Sequence, residues 1–147
     1  MKKTRLMSAV LASIIILSGC QQQQPLAKAK RVAQEGEYDI DLRGMNANII
    51  YATIFNMVQQ PSTYLNMSVS MYGNYKETVN QDTNSTYHFC VVPDALKCCS
   101  QGIEFKYDGE NYPDEGQEIE ITGIFSSYEE GGQEFYYIDA SYCGLVE

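Results

Sequence analysis

The chain of 147 residues has no tryptophan, one histidine and ten basic residues against nineteen acidic ones. Each shortage excludes something. A surface this negative repels phosphate backbones and anionic lipid, so nucleic acid is not an expected partner. With His88 as the sole imidazole, any Ser–His–Asp or Cys–His arrangement has one candidate base. There is no Gly-rich phosphate loop, no Gly-x-Ser-x-Gly, no His-Glu-x-x-His and no Asp-rich calcium loop. Long apolar runs are lacking too: the stretch Leu6 to Leu17 is too short for a stable membrane span. The expectation is that this is not an enzyme.

What the N-terminus does have is an address. Lys2, Lys3 and Arg5 precede the apolar run, which ends in Leu17-Ser18-Gly19-Cys20. A basic start, a short apolar core and small residues before a cleavage point are the parts of a secretory signal. The small pair before a cysteine resembles the lipobox of bacterial lipoproteins. That resemblance implies a signal peptide over 1–19, acylation of Cys20, and an extracytoplasmic chain anchored to the membrane by lipid. Cleavage would leave seven basic residues against nineteen acidic, a balance of −12. Twelve of the acids lie between Glu104 and Glu147, where Lys106 is the only base. Residues 20–44 are expected to be the lipid anchor and a flexible tether, starting Gln21-Gln-Gln-Gln24 and carrying Lys28, Lys30 and Arg31.

From residue 45 the patterning changes. Ile50, Ile54, Met57 and Val58 recur at helical spacing, with Asn46 or Asn48 as N-cap and Pro61 as the stop. The rest alternates with period two: Met67, Val69 and Met71; Tyr87, Phe89 and Val91 opposite His88, Cys90 and Val92; Ile103, Phe105 and Tyr107; Ile119, Ile121 and Phe125; then Gln133 to Tyr142. Glu130-Gly131-Gly132 is a hairpin signal. Ser68–Tyr75 echoes Glu118–Phe125, each an alternating strand with a glycine followed two residues later by an aromatic. Glycine inside a strand marks a bulge or bend, and two bent strands among five predict a small closed barrel. The twelve tyrosines are expected in the core and amphipathic rim of that barrel.

The order of helix, Gly73 strand, Tyr87-His-Phe-Cys90, Asp94-Ala, Cys98-Cys99-Ser-Gln-Gly102-Ile-Glu-Phe105, Tyr112-Pro-Asp114 and Glu118-Ile-Glu-Ile-Thr-Gly123-Ile-Phe125 resembles a family of uncharacterised OB-fold-like lipoproteins of Gram-positive bacteria. The likeness covers about 100 residues. A weaker likeness, limited to cysteines close to Asp-Ala, reaches the soluble part of a permease-subunit family linked to metal homeostasis. The first resemblance implies an all-β, five-stranded OB-like small barrel over 45–147 with one N-terminal α-helix. It supplies no activity or site residues. Residues 108–116 leave no room for a helix between the third and fourth strands, so the helix at 46–59 would cap the barrel.

Chemistry concentrates between His88 and Gly102. His88, Cys90, Asp94, Cys98 and Cys99 offer imidazole, thiolate and carboxylate, a donor set suited to zinc. With Cys20 acylated, Cys90, Cys98, Cys99 and Cys143 form an even set allowing three pairings. Cys143 follows the last strand as a possible disulfide partner; Cys98 and Cys99 are too close to bridge each other. Disulfides, a metal and buried free thiols all stay open. The leading expectation is a non-catalytic OB-like binding or interaction module that takes a small solute, a metal ion or a protein partner. The alternative is a zinc-binding or thiol-redox lipoprotein using the His88–Cys99 cluster.

Overall fold

The computed structural model describes residues 36–109 and 111–146. The signal peptide, Cys20 and most of the expected tether lie outside the described residues. Helix α1 runs Ala47–Gln59, capped by the Asn46 side chain, which accepts from the Ile49 amide at 3.1 Å. The cap matters because a helix rich in Ile, Thr and Asn has little intrinsic propensity and depends on packing. Ile50, Ile54 and Met57 supply that packing from one buried face. Pro61, expected only as a stop, opens a second helix of one turn, α2 (Pro61–Tyr64), because proline is tolerated at a first helical position.

The molecule is otherwise mostly β. Six strands follow the order β1 (Ile40–Asp41), β2 (Ser68–Val79), β3 (Thr86–Pro93), β4 (Ser100–Tyr107), β5 (Glu118–Glu130) and β6 (Gln133–Leu145), with both helices between β1 and β2. The added strand is β1, two residues pairing in parallel with Val69 and Ser70 of β2. Its neighbours Asp39 and Leu42 bond to Ser68 and Ser70, and Leu42 is buried in the core. Residues 39–42, expected in the tether, therefore belong to the folded unit.

Strands β2, β3, β4, β6 and β5 pair in that order, and β5 pairs back onto β2, so five strands form a closed ring. All ring pairs are antiparallel except β4 with β6. Closure depends on β2 serving two partners. Ser68–Asn74 pairs with β5, Asn74–Val79 with β3. Gly73 sits at this handover, and a Cβ there would stand 2.5 Å from the Cys90 sulfur. Its echo, Gly123, lies at a register shift between β5 and β6, where a Cβ would meet the Asp139 carbonyl at 2.3 Å. One glycine makes room for a buried thiol and the other for a bulge.

Inside the ring, Val69, Met71, Cys90, Ile103, Phe105, Ile119, Ile121, Phe125 and Ile138 are at most 1% exposed. Helix α1 packs against β3 and β4, so Ile50, Ile54 and Met57 join the same core. Full burial of each such side chain contributes roughly 1.5–3 kcal/mol. No helix among the described residues is long and apolar enough to cross a membrane.

Candidate functional site

The residues singled out between 88 and 102 run along hairpin β3–β4, and the structure separates them into three environments. His88 lies at the root of the hairpin, paired with Phe105. Its ring stacks on Tyr112 with centroids 3.7 Å apart. The Tyr75 hydroxyl stands 2.6 Å from Nδ1 of His88 and 3.2 Å from the Glu77 carboxylate. Burial lowers the His88 pKa against the opposing pull of Glu77, and burial followed by the Glu77 charge keeps the Tyr75 phenol protonated. The Tyr75 phenol donates its proton to the Glu77 carboxylate, and its oxygen makes the second contact with Nδ1 of His88.

Two residues along the strand, Cys90 points the same way and is fully buried. Burial holds its thiol far above the ordinary range. It packs as a small apolar side chain and presents no thiolate to a ligand. His88 and Cys90 do share a strand face, as alternation predicts, but that face is the inside of the ring.

The third environment is the turn from Asp94 to Cys99. Oδ1 of Asp94 accepts from the Cys98 and Cys99 amides at 2.9 and 3.3 Å. Lys97 takes a left-handed conformation with φ 54°, and its amide donates to the Asp94 carbonyl. Oδ2 of Asp94 is left to face the Cys98 thiol at 3.1 Å, with the Cys99 sulfur 3.9 Å from that of Cys98. The carboxylate, followed by the neighbouring thiol, raises the Cys98 pKa to about 11. Both cysteines are exposed. Asp94, Cys98 and Cys99 have donor atoms within 4.8 Å of one another. His88 stands six strand residues from Asp94, roughly 20 Å at strand rise. The structure thus brings together three of the five expected metal ligands and leaves out His88 and Cys90.

Cys143 lies within β6, opposite Ile121, rather than beyond the last strand. It is half-buried, and burial raises its thiol pKa to about 11. Cys90, Cys98, Cys99 and Cys143 are all free thiols.

A concave feature lies elsewhere. A cleft of about 790 Å³ crosses the outer face of β3 and β4, between the β2–β3 turn (Asn80, Thr83) and the β5–β6 turn (Gly131). Tyr87, Phe89, Tyr128 and Phe135 give it aromatic walls, and Gly102 leaves room beside Phe89. Its charged groups are carboxylates. Tyr87 donates to Glu130 at 2.7 Å, Tyr136 to Glu134 at 2.9 Å and Tyr128 to Glu104 at 2.8 Å. Glu104 is only 7% exposed, and burial raises its pKa despite Tyr128 and Lys106. Lys106 lies 3.2 Å above the Tyr128 ring and 3.8 Å from Glu104. A second hollow of about 520 Å³ adjoins the cleft, sharing Tyr87, Glu104, Tyr128 and Glu130 and reaching His88.

The aromatic expectation is therefore met in part. Tyr75 is core, while Tyr87, Tyr128 and Tyr136 line the cleft. The sequence carried a signal for this. In β3 both alternating sets are largely apolar, and a ring strand needs only one apolar face. No protein-family model matches the chain, and comparison with curated proteins likewise yields no match.

Proposed function

We propose that this chain is a lipoprotein held on the extracytoplasmic face of the membrane through acylated Cys20, and that its β domain is a non-catalytic OB-like binding module. The ring order, with one parallel pair closing five otherwise antiparallel strands, supports the OB-like reading. In that fold ligands settle on the face of the second and third barrel strands, between two hairpin loops. The corresponding face here is β3–β4, and the observation that carries the proposal is the aromatic, carboxylate-rimmed cleft found on it.

Its chemistry selects the ligand. Aromatic walls take an apolar or flat surface, and Glu104, Glu130 and Glu134 favour a positive charge over a phosphate. The module thus takes a small solute or a protein segment bearing a cationic group, and not nucleic acid.

Two measurements test this. Metabolic labelling with a fatty acid should mark the native chain and fail in Cys20→Ala; label persisting in that variant overturns the anchor. Titration of an oligolysine peptide should shift backbone amide resonances around 87–89, 102–104 and 128–136, while a single-stranded oligonucleotide should not. Absent shifts, or shifts mapping outside the cleft, overturn the binding face.

A further inference from the structure

At the β3–β4 turn, Asp94, Cys98 and Cys99 meet on an exposed corner and are not among the residues lining the aromatic cleft. We propose that these three side chains form a binding site for a thiophilic divalent ion of the zinc class, with a fourth coordination position open to solvent.

The distances carry the inference. In a tetrahedral zinc site with Zn–S near 2.3 Å, two thiolate sulfurs stand about 3.8 Å apart. The Cys98 and Cys99 sulfurs are 3.9 Å apart. A carboxylate oxygen in the same tetrahedron stands about 3.6 Å from each sulfur; Oδ2 of Asp94 is 3.1 Å from Cys98 and hydrogen-bonded to it. An ion entering between them opens that contact by about half an ångström as it replaces the thiol proton, and draws in the Cys99 sulfur, which lies within 4.8 Å of the other donors.

The turn is also preorganised by groups that the ion would not use. Oδ1 of Asp94 holds the Cys98 and Cys99 amides, and the Asp94 amide donates to the Cys99 carbonyl at 2.9 Å. One carboxylate oxygen shapes the loop while the other faces the thiols. Self-bridging does not compete well, because consecutive Cα atoms lie about 3.8 Å apart, short of the roughly 4.4–6.8 Å spanned by disulfides.

Binding balances as follows. The ion forms two metal–sulfur bonds and one metal–oxygen bond. Each thiol releases one proton to water, and nothing is oxidised or reduced. Two thiolates and one carboxylate leave the loaded site with a charge of −1. Three ligands on an exposed turn, with one position open, suit an ion that is exchanged with a partner better than one kept for folding.

The test uses the reduced full chain in detergent, with cobalt(II) as the spectroscopic probe and zinc competing against a chromogenic chelator. One equivalent of cobalt should produce thiolate-to-metal charge transfer with tetrahedral ligand-field bands, and zinc should displace it. Cys98→Ser and Cys99→Ser should each weaken zinc binding by more than the roughly 10- to 100-fold typical of losing an outer-shell partner. Asp94→Asn, which keeps an oxygen for the loop amides, should weaken it about 10-fold. His88→Gln and Cys143→Ser should leave it unchanged. The proposal fails if the charge-transfer band is absent. It also fails if the double serine variant binds as the native chain does, or if His88→Gln abolishes binding. Because no cleft residue is touched, this outcome is separate from that of the oligolysine titration.

Discussion

The two ends of hairpin β3–β4 differ more than the hairpin's regularity suggests. At the root, His88 opposite Phe105 is wedged among Tyr75 and Tyr112. At the turn, Leu96, Cys98 and Cys99 are exposed, held by backbone hydrogen bonds and one carboxylate. The same two strands thus enclose side chains at one end and expose them at the other. Residue type does not decide which. Cys90 and Cys98 share a side chain, yet the ring encloses the first and its loop presents the second.

That contrast can be broken first at the root. Phe105→Ala should cost about 3–5 kcal/mol in urea unfolding, since Phe105 is fully enclosed; a loss below about 1 kcal/mol would mean that this end is loosely packed. Gly73→Ala should cost about 1–3 kcal/mol through overpacking against the Cys90 sulfur. Combining it with Cys90→Ala should recover part of that loss, because the clash is with a side chain. Gly123→Ala should gain nothing from the same partner, because its clash is with backbone.

Acid sharpens the comparison with a smaller effect. Burial depresses the His88 pKa, so the unfolded chain takes up protons at a higher pH than the folded one. Stability should therefore fall as pH drops below about 6.5 and level off once folded His88 is itself protonated. In His88→Gln that part of the pH dependence, read from melting temperature across pH 5–7, should disappear. At the turn the smallest change is expected: Cys98→Ser should move unfolding by no more than about 0.5 kcal/mol. A thiol reagent should then find exposed Cys99 first, Cys98 and Cys143 more slowly because each thiol is pushed up to about 11, and Cys90 only after denaturation.

Much of the framework was legible because its signals are local. Asn46 with the stripe Ile50–Ile54–Met57 specifies α1, and alternation locates every ring strand. The echo of Gly73 and Gly123 pointed to two irregular strands, though not to their different causes. β1 escaped detection, since two residues carry no period and Ile40 pairs only through the distant Val69. The candidate site was harder for a related reason. Alternation puts His88 with Cys90 but does not say that their face is interior. Fifteen residues that look clustered in the chain stretch along an extended hairpin, so His88 cannot reach Cys98. The cleft draws on α1, β3, β4, β5, β6 and two turns, residues as far apart as Val58 and Tyr136, and no short window contains them.

The short parallel pairing at β1 bears on how the domain would carry load. In a chain held at Cys20, tension arriving from the N-terminal side meets Asp39 first, whose carboxylate accepts from the amide and hydroxyl of Ser68 at 2.9 Å. Leu42 and its bond to the Ser70 carbonyl come next, and Arg43 then bridges Asp41 to Glu120 of β5 at 2.8 and 3.0 Å. The pull is thereby shared between two neighbouring ring strands before it reaches α1. In a chain so held, the segment would act as a strain relief placed ahead of α1.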